Sequence, residues 1–111
     1  MRNHIKVLLG SMSVTAKYKG YPITIAACEL LLEDEMLLYS VTKELYPKVA
    51  ERCNCPEVTV ERNIRTVILR IWNYNRQKLF EIAGYEMAVP PTTSEFLGIM
   101  LSYLQRCEMA L

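Results

Sequence analysis

Six side chains between positions 58 and 66, Val58, Thr59, Glu61, Arg62, Arg65 and Thr66, have the types and spacing to read the edges of a nucleic-acid duplex. At about 100° per residue, Val58, Thr59, Arg62 and Thr66 fall on one outer helix face together with Arg70, with Glu61 and Arg65 on its flank. Short side chains permit close approach. A guanidinium donates in pairs to guanine or to phosphate oxygens, and a carboxylate accepts from cytosine N4. On the opposite side Val60, Ile64, Val67, Ile68, Ile71 and Trp72 form a broad apolar stripe that must be buried. A solvated helix face bearing arginines has the same pattern, so the periodicity establishes the helix more firmly than the contact.

The elements that hold this face are readable in Pro47 to Trp72. Pro47 suits the first turn of a helix, where its missing N–H has no intrahelical partner. Val49, Ala50 and Cys53 then share one face, and the small Ala50 lets a second helix approach. Asn54 tolerates the left-handed conformation that a sharp helix exit requires. Cys55, Pro56 and Glu57 supply the turn and a helix start with a carboxylate near the positive end of the dipole. Two helices and a tight turn at about 47–73 predict a helix-turn-helix.

Charge is placed consistently with that reading. Over residues 1–47 basic and acidic side chains balance, whereas residues 48–78 carry Lys48, Arg52, Arg62, Arg65, Arg70, Arg76 and Lys78 against Glu51, Glu57 and Glu61. Residues 79–111 are acidic, with Arg106 against Glu81, Glu86, Glu95 and Glu108. The basic footprint coincides with the two-helix unit. Because it is modest, affinity for DNA is expected to be salt-sensitive and to need two copies on the duplex.

Other chemistries find little support. Cys53 and Cys55 stand at a C-x-C spacing that matches no standard zinc pair, and His4 is the only histidine. The four cysteines are expected to be small apolar residues of a reducing compartment, with redox sensing by Cys53 and Cys55 as a minor alternative. Glu33, Asp34 and Glu35 look like a solvated helix boundary. With no glycine-rich phosphate loop and no metal constellation, no catalytic residue, cofactor or metal is expected. The N-terminus lacks a signal-peptide pattern and no apolar run reaches membrane-spanning length, so a cytoplasmic protein off the membrane is expected.

The 111 residues, 51% of them hydrophobic, suffice for one core, so residues 1–111 are read as a single domain. Helices are expected at His4–Met12, from Tyr21 and Pro22 through Leu32, and from about Glu35 to Leu45 with Asp34 as cap. The second is apolar nearly all round and belongs at the centre of the core. A bend at Tyr46 and Pro47 leads into the helix-turn-helix, which ends near Asn73, Tyr74 and Asn75. A short helix at Gln77–Ala83 closes at Gly84, and Pro90 and Pro91 form a rigid connection. Thr93 or Ser94 is expected to cap a last helix whose stripe is Phe96, Leu97, Met100, Leu101 and Leu104. Nothing alternates with period two. The expected fold is all-α, a compact bundle of six or seven helices. Lys17, Lys19 and Tyr21, between the first two helices, could touch a DNA backbone, although a solvated loop explains them as well.

An ordered series of strings then becomes specific: KGY at Lys19–Tyr21, SVTKELYPKVAERCN at Ser40–Asn54, VERNIR at Val60–Arg65, Trp72, GY at Gly84–Tyr85 and TTSEF at Thr92–Phe96. Together they resemble the C-terminal effector domains of the stage zero sporulation protein A family over nearly the whole chain. The resemblance implies an all-helical, sequence-specific binder of double-stranded DNA that regulates transcription. It further implies a recognition helix in the major groove, tandem copies on a short repeated promoter box, pairing on DNA, and contact with RNA polymerase sigma factors. Residue by residue, Glu61 matches the family's base-reading glutamate, and Arg62 and Arg65 match its arginines. Thr59 stands where the family has a base-reading arginine and Thr66 where it has a histidine. Losing a bidentate arginine costs about 1–3 kcal/mol of discrimination at one base pair. In the family a phosphorylated receiver domain precedes this one; here the chain begins at Met1 just ahead of the effector domain. The alternative expectation is a protein-interaction module without useful DNA affinity. It would bind a sigma factor around Lys78–Met87 or pair with a full-length relative through the last helix.

Overall fold

The computed structural model describes residues 2–109, which form an all-α bundle. Five α-helices run in the order α1 (Arg2–Ser11), α2 (Gly20–Glu33), α3 (Tyr46–Cys53), α4 (Glu57–Ala83) and α5 (Thr93–Met109). The expected six or seven is therefore corrected to five, for two local reasons.

The first lies between α2 and α3. Glu35–Leu45 is not an α-helix but a 3-10 segment, Glu35–Ser40, followed by a π segment, Val41–Leu45. Asp34 does cap its start, its side chain accepting from the Met36 N–H at 3.1 Å. Ser40, at φ −145° and ψ 55°, then interrupts the helical path. Tyr46 does not bend the chain as the following proline led us to expect; it is helical at φ −58° and ψ −44°. Proline has no N–H and crowds the carbonyl four residues back. The wider π turn, in which the Tyr46 N–H reaches Val41 O, brings the chain into α3 around that obstacle.

The second lies within α4. The expected helices ending near Asn75 and starting at Gln77 are one element with a kink, Asn75 alone leaving helical geometry at φ −156° and ψ 42°. Its side-chain amide donates to Ser11 O at 3.2 Å and to Ser13 Oγ at 3.1 Å, tying the kink to the end of α1. Twenty-seven helical residues laid straight would span about 40 Å. The molecule measures only 32 × 31 × 25 Å along its principal axes. The kink keeps Leu79 and Ile82 of the second half in the core.

Helix α2 packs against α1, α3, α4 and α5, as its all-round apolar sequence requires. Ile23, Ile25, Ala26, Ala27, Leu30 and Leu31 are all buried. The whole predicted stripe of α5, Phe96, Leu97, Met100, Leu101 and Leu104, is buried as well. Its cap is Thr92, one residue before the positions expected. Thr92 Oγ1 accepts from the Glu95 N–H at 3.1 Å and Glu95 Oε1 accepts from the Thr92 N–H at 2.9 Å, a reciprocal capping box. Gly84 closes α4 at φ 86°, where a side chain would be strained.

Candidate nucleic-acid interface

The two-helix unit forms as its sequence dictates. Helix α3 buries Val49 and Ala50, and its exit at Asn54 is left-handed, φ 54° and ψ 53°. The Asn54 N–H bonds back to Glu51 O, and the Cys55 N–H to Ala50 O, so the turn satisfies the last carbonyls of α3. Pro56, at φ −67° and ψ 152°, precedes α4. All six apolar residues of the predicted stripe, Val60, Ile64, Val67, Ile68, Ile71 and Trp72, are buried. This burial fixes α4 in rotation and leaves the opposite face outward.

On that face Val58, Glu61, Arg62, Arg65 and Thr66 are exposed. Thr59 is half-buried and lines a groove together with Lys19, Pro22 and Ile23 beside the start of α2. Arg62 makes no ion pair among the described residues. Glu61 and Arg65 pair with each other at 3.2 Å, about half exposed on both sides. An exposed pair at this helical spacing contributes only about 0.3–0.5 kcal/mol, so a duplex can draw either partner away at little cost. The Thr66 hydroxyl donates to Arg62 O at 3.0 Å, which leaves its methyl group and oxygen lone pairs for a partner.

Three neighbouring features go beyond the sequence-based reading, which named Lys17, Lys19 and Arg70 but gave neither the packing role of Gly20 nor the way these residues come together. Gly20, the first residue of α2, sits directly against α4. A Cβ there would lie 2.5 Å from Val67 Cγ2 and 2.7 Å from Asn63 O, so glycine sets how closely the two helices approach. Arg70, placed on the open outer face by periodicity, is instead half-buried between Tyr18 and Tyr74, its Cζ 5.3 and 4.2 Å from their ring centroids. Lys17 and Lys19 stand on the α1–α2 connection alongside the same stretch of α4. The Lys-Gly-Tyr string marked this connection, but nothing in the sequence tied Tyr18 to a residue 52 positions later.

The thiols behave as buried or half-buried apolar groups. Burial pushes the Cys28 thiol up to about 12, and Cys53 is also raised, chiefly by burial. All four cysteines are free, and the described residues hold no cluster of three or more His, Cys, Asp or Glu that could bind a metal. Burial raises the Tyr46 phenol above its ordinary range, so the residue that opens α3 is neutral. No helix of the described residues is long and apolar enough to cross a membrane. The arrangement presents the guanidinium groups of Arg62 and Arg65, the Glu61 carboxylate and the Thr66 hydroxyl on one helix face. A family model described as "Sporulation initiation factor Spo0A C terminal" matches residues 5–104.

Proposed function

The chain belongs to the sporulation initiation factor Spo0A C-terminal family, and from that premise we propose that it docks α4 into the major groove of double-stranded DNA as a sequence-specific regulator. Membership of this family places it among non-catalytic DNA-binding domains of transcription regulation. The finer reading is our own. Val58, Thr59, Glu61, Arg62, Arg65 and Thr66 face the duplex, two tandem copies share one promoter region, and the chain acts as a single domain in the cytoplasm. The observation that carries it is the outer face of α4, which follows a tight turn from α3 and on which Arg62 is exposed and has no ionic partner among the described residues. A helix in this position inserts its N-terminal residues between the groove walls.

The test is fluorescence anisotropy with a duplex carrying two tandem family boxes and a scrambled duplex, each at low and moderate salt. Arg62→Ala is expected to lower affinity about 10–100-fold while remaining folded, the worth of one or two charge-assisted hydrogen bonds. Unchanged affinity would refute this docking. A second reading is favoured by the exposure of Tyr85 and Val89 after α4, 54% and 69% accessible. Such aromatic and aliphatic surface suits a protein partner such as a sigma factor. Binding to neither duplex would favour that reading.

A further inference from the structure

We infer that Arg70, in cation–π contact with Tyr18 and Tyr74, is the anchor of a phosphodiester clamp that grips the DNA strand at the edge of the major groove. The inference rests on the docking proposed above and extends it to a separate set of residues.

The clamp lies in an open groove of about 450 Å³ beside α4, with Lys17, Lys19 and Asn73 around Arg70 and its two tyrosines. Three cationic side chains thus border one groove, and no acidic side chain lines it. Arg70 lies over two rings but is not neutralised. Its Nε is buried without a hydrogen-bond partner, and no carboxylate pairs with it among the described residues. A guanidinium held against two rings and without a carboxylate partner among the described residues is preorganised for an anion, because less side-chain freedom remains to be lost on contact. Lys17 adds a second positive charge over the same Tyr18 ring, 5.4 Å from its centroid.

The position along α4 identifies the anion. At about 100° per residue, Thr59, Asn63, Thr66 and Arg70 lie within about 60° of one another and Arg70 about 80° from Arg62, so the groove borders the Thr59 and Thr66 edge of the face proposed to enter the duplex. Arg70 stands about 6 Å beyond Thr66 along the axis, at 1.5 Å per residue. The major groove is about 12 Å wide, so a helix that reads bases from position 58 to 66 meets the bordering phosphates next. Contacts of this kind set orientation and supply affinity without reading sequence. A free phosphate or a mononucleotide offers the same anion, and the test separates these sources.

The experiment measures duplex affinity against salt concentration for the full chain and for Arg70→Gln, Arg70→Lys and Arg62→Ala, with inorganic phosphate and AMP titrated separately by calorimetry. Each phosphate contact contributes about 0.9 to the slope of log K on log salt. Arg70→Gln is expected to lower that slope by about 0.9, which weakens binding about eightfold at 0.1 M salt. It should do so equally on tandem-box and scrambled duplexes. Arg70→Lys is expected to keep the slope but bind more weakly, since an ammonium does not stack as a planar guanidinium does. A partly unfolded variant would scale affinity at every salt concentration alike and leave the slope unchanged. A wild-type slope in Arg70→Gln would overturn the clamp, as would AMP or phosphate binding that is lost in Arg70→Gln while the duplex slope stays. Should Arg62→Ala weaken binding and Arg70→Gln not, only the clamp falls; should neither change it, the docking falls too.

Discussion

Two alanine substitutions at helical glycines are expected to have opposite signs, because one glycine carries a packing requirement and the other does not. At Gly20 the added Cβ would approach Val67 Cγ2 to 2.5 Å and Asn63 O to 2.7 Å. Ordinary carbon–carbon contacts lie at about 3.5–4.0 Å, so roughly an ångström of movement is required. The Val67 methyl could turn away, but it is buried, and Asn63 O belongs to the backbone of α4 and moves only with the helix. Overpacking of this kind costs about 1–3 kcal/mol, against which alanine recovers about 0.4–1 kcal/mol by restricting the unfolded chain. Gly20→Ala is therefore expected to lose about 1–2 kcal/mol, a fall in Tm of about 5–10 °C. At Gly10 nothing lies within 4 Å of the new Cβ, so Gly10→Ala should gain about 0.5 kcal/mol. Urea unfolding of both variants beside the parent is the assay. Gly20→Ala as stable as the parent, or both variants shifted the same way, would refute the account of how α2 seats α4.

Thr92→Ala should cost about 1 kcal/mol by opening the capping box of α5, read by the same urea titration. The Thr92 backbone N–H and then its side chain hold the Glu95 carboxyl below its usual range, so the folded value is depressed. The stability this supplies is present above the unfolded carboxylate value and is lost as pH falls through the folded one. Glu95→Gln should accordingly flatten the acid side of the stability profile below about pH 4.5, and an unaltered profile would count against the capping box. Cys28, buried and raised to about 12, should resist alkylation at pH 8 until the chain is unfolded in guanidinium, as followed by mass spectrometry. Labelling of Cys28 in the native state would show that α2 is less enclosed than described.

What the sequence revealed divides along the distance over which each feature is decided. The apolar stripe of α4, the left-handed residues Asn54 and Gly84 and the all-round burial of α2 depend on residue type and periodicity within a few turns, and each was legible. The capping box was legible too, since Thr92 and Glu95 stand at the required spacing, although the expectation settled on Thr93 or Ser94. The π turn before Pro47 and the kink at Asn75 were not. One depends on how a proline ring is accommodated four residues back, the other on Ser11 and Ser13, more than sixty positions away.

The same division runs through the candidate interface. Rotation of α4 about its axis is fixed by its own buried stripe, so the exposed positions from Val58 to Thr66 could be named in advance, Thr59 alone proving half-buried. Periodicity also placed Arg70 outward, but it gives the angle of a side chain and not what stands over it. The α1–α2 connection comes close to α4 only because Gly20 admits it, and that approach sets the Arg70 guanidinium over the Tyr18 ring. The positions proposed to read bases therefore follow from one helix, whereas the proposed backbone grip requires a second element brought alongside. On the proposed clamp, this second requirement ties Gly20, a residue with no side chain to offer DNA, to affinity for it: moving the connection away from α4 would take the Tyr18 ring from Arg70 and leave it with Tyr74 alone.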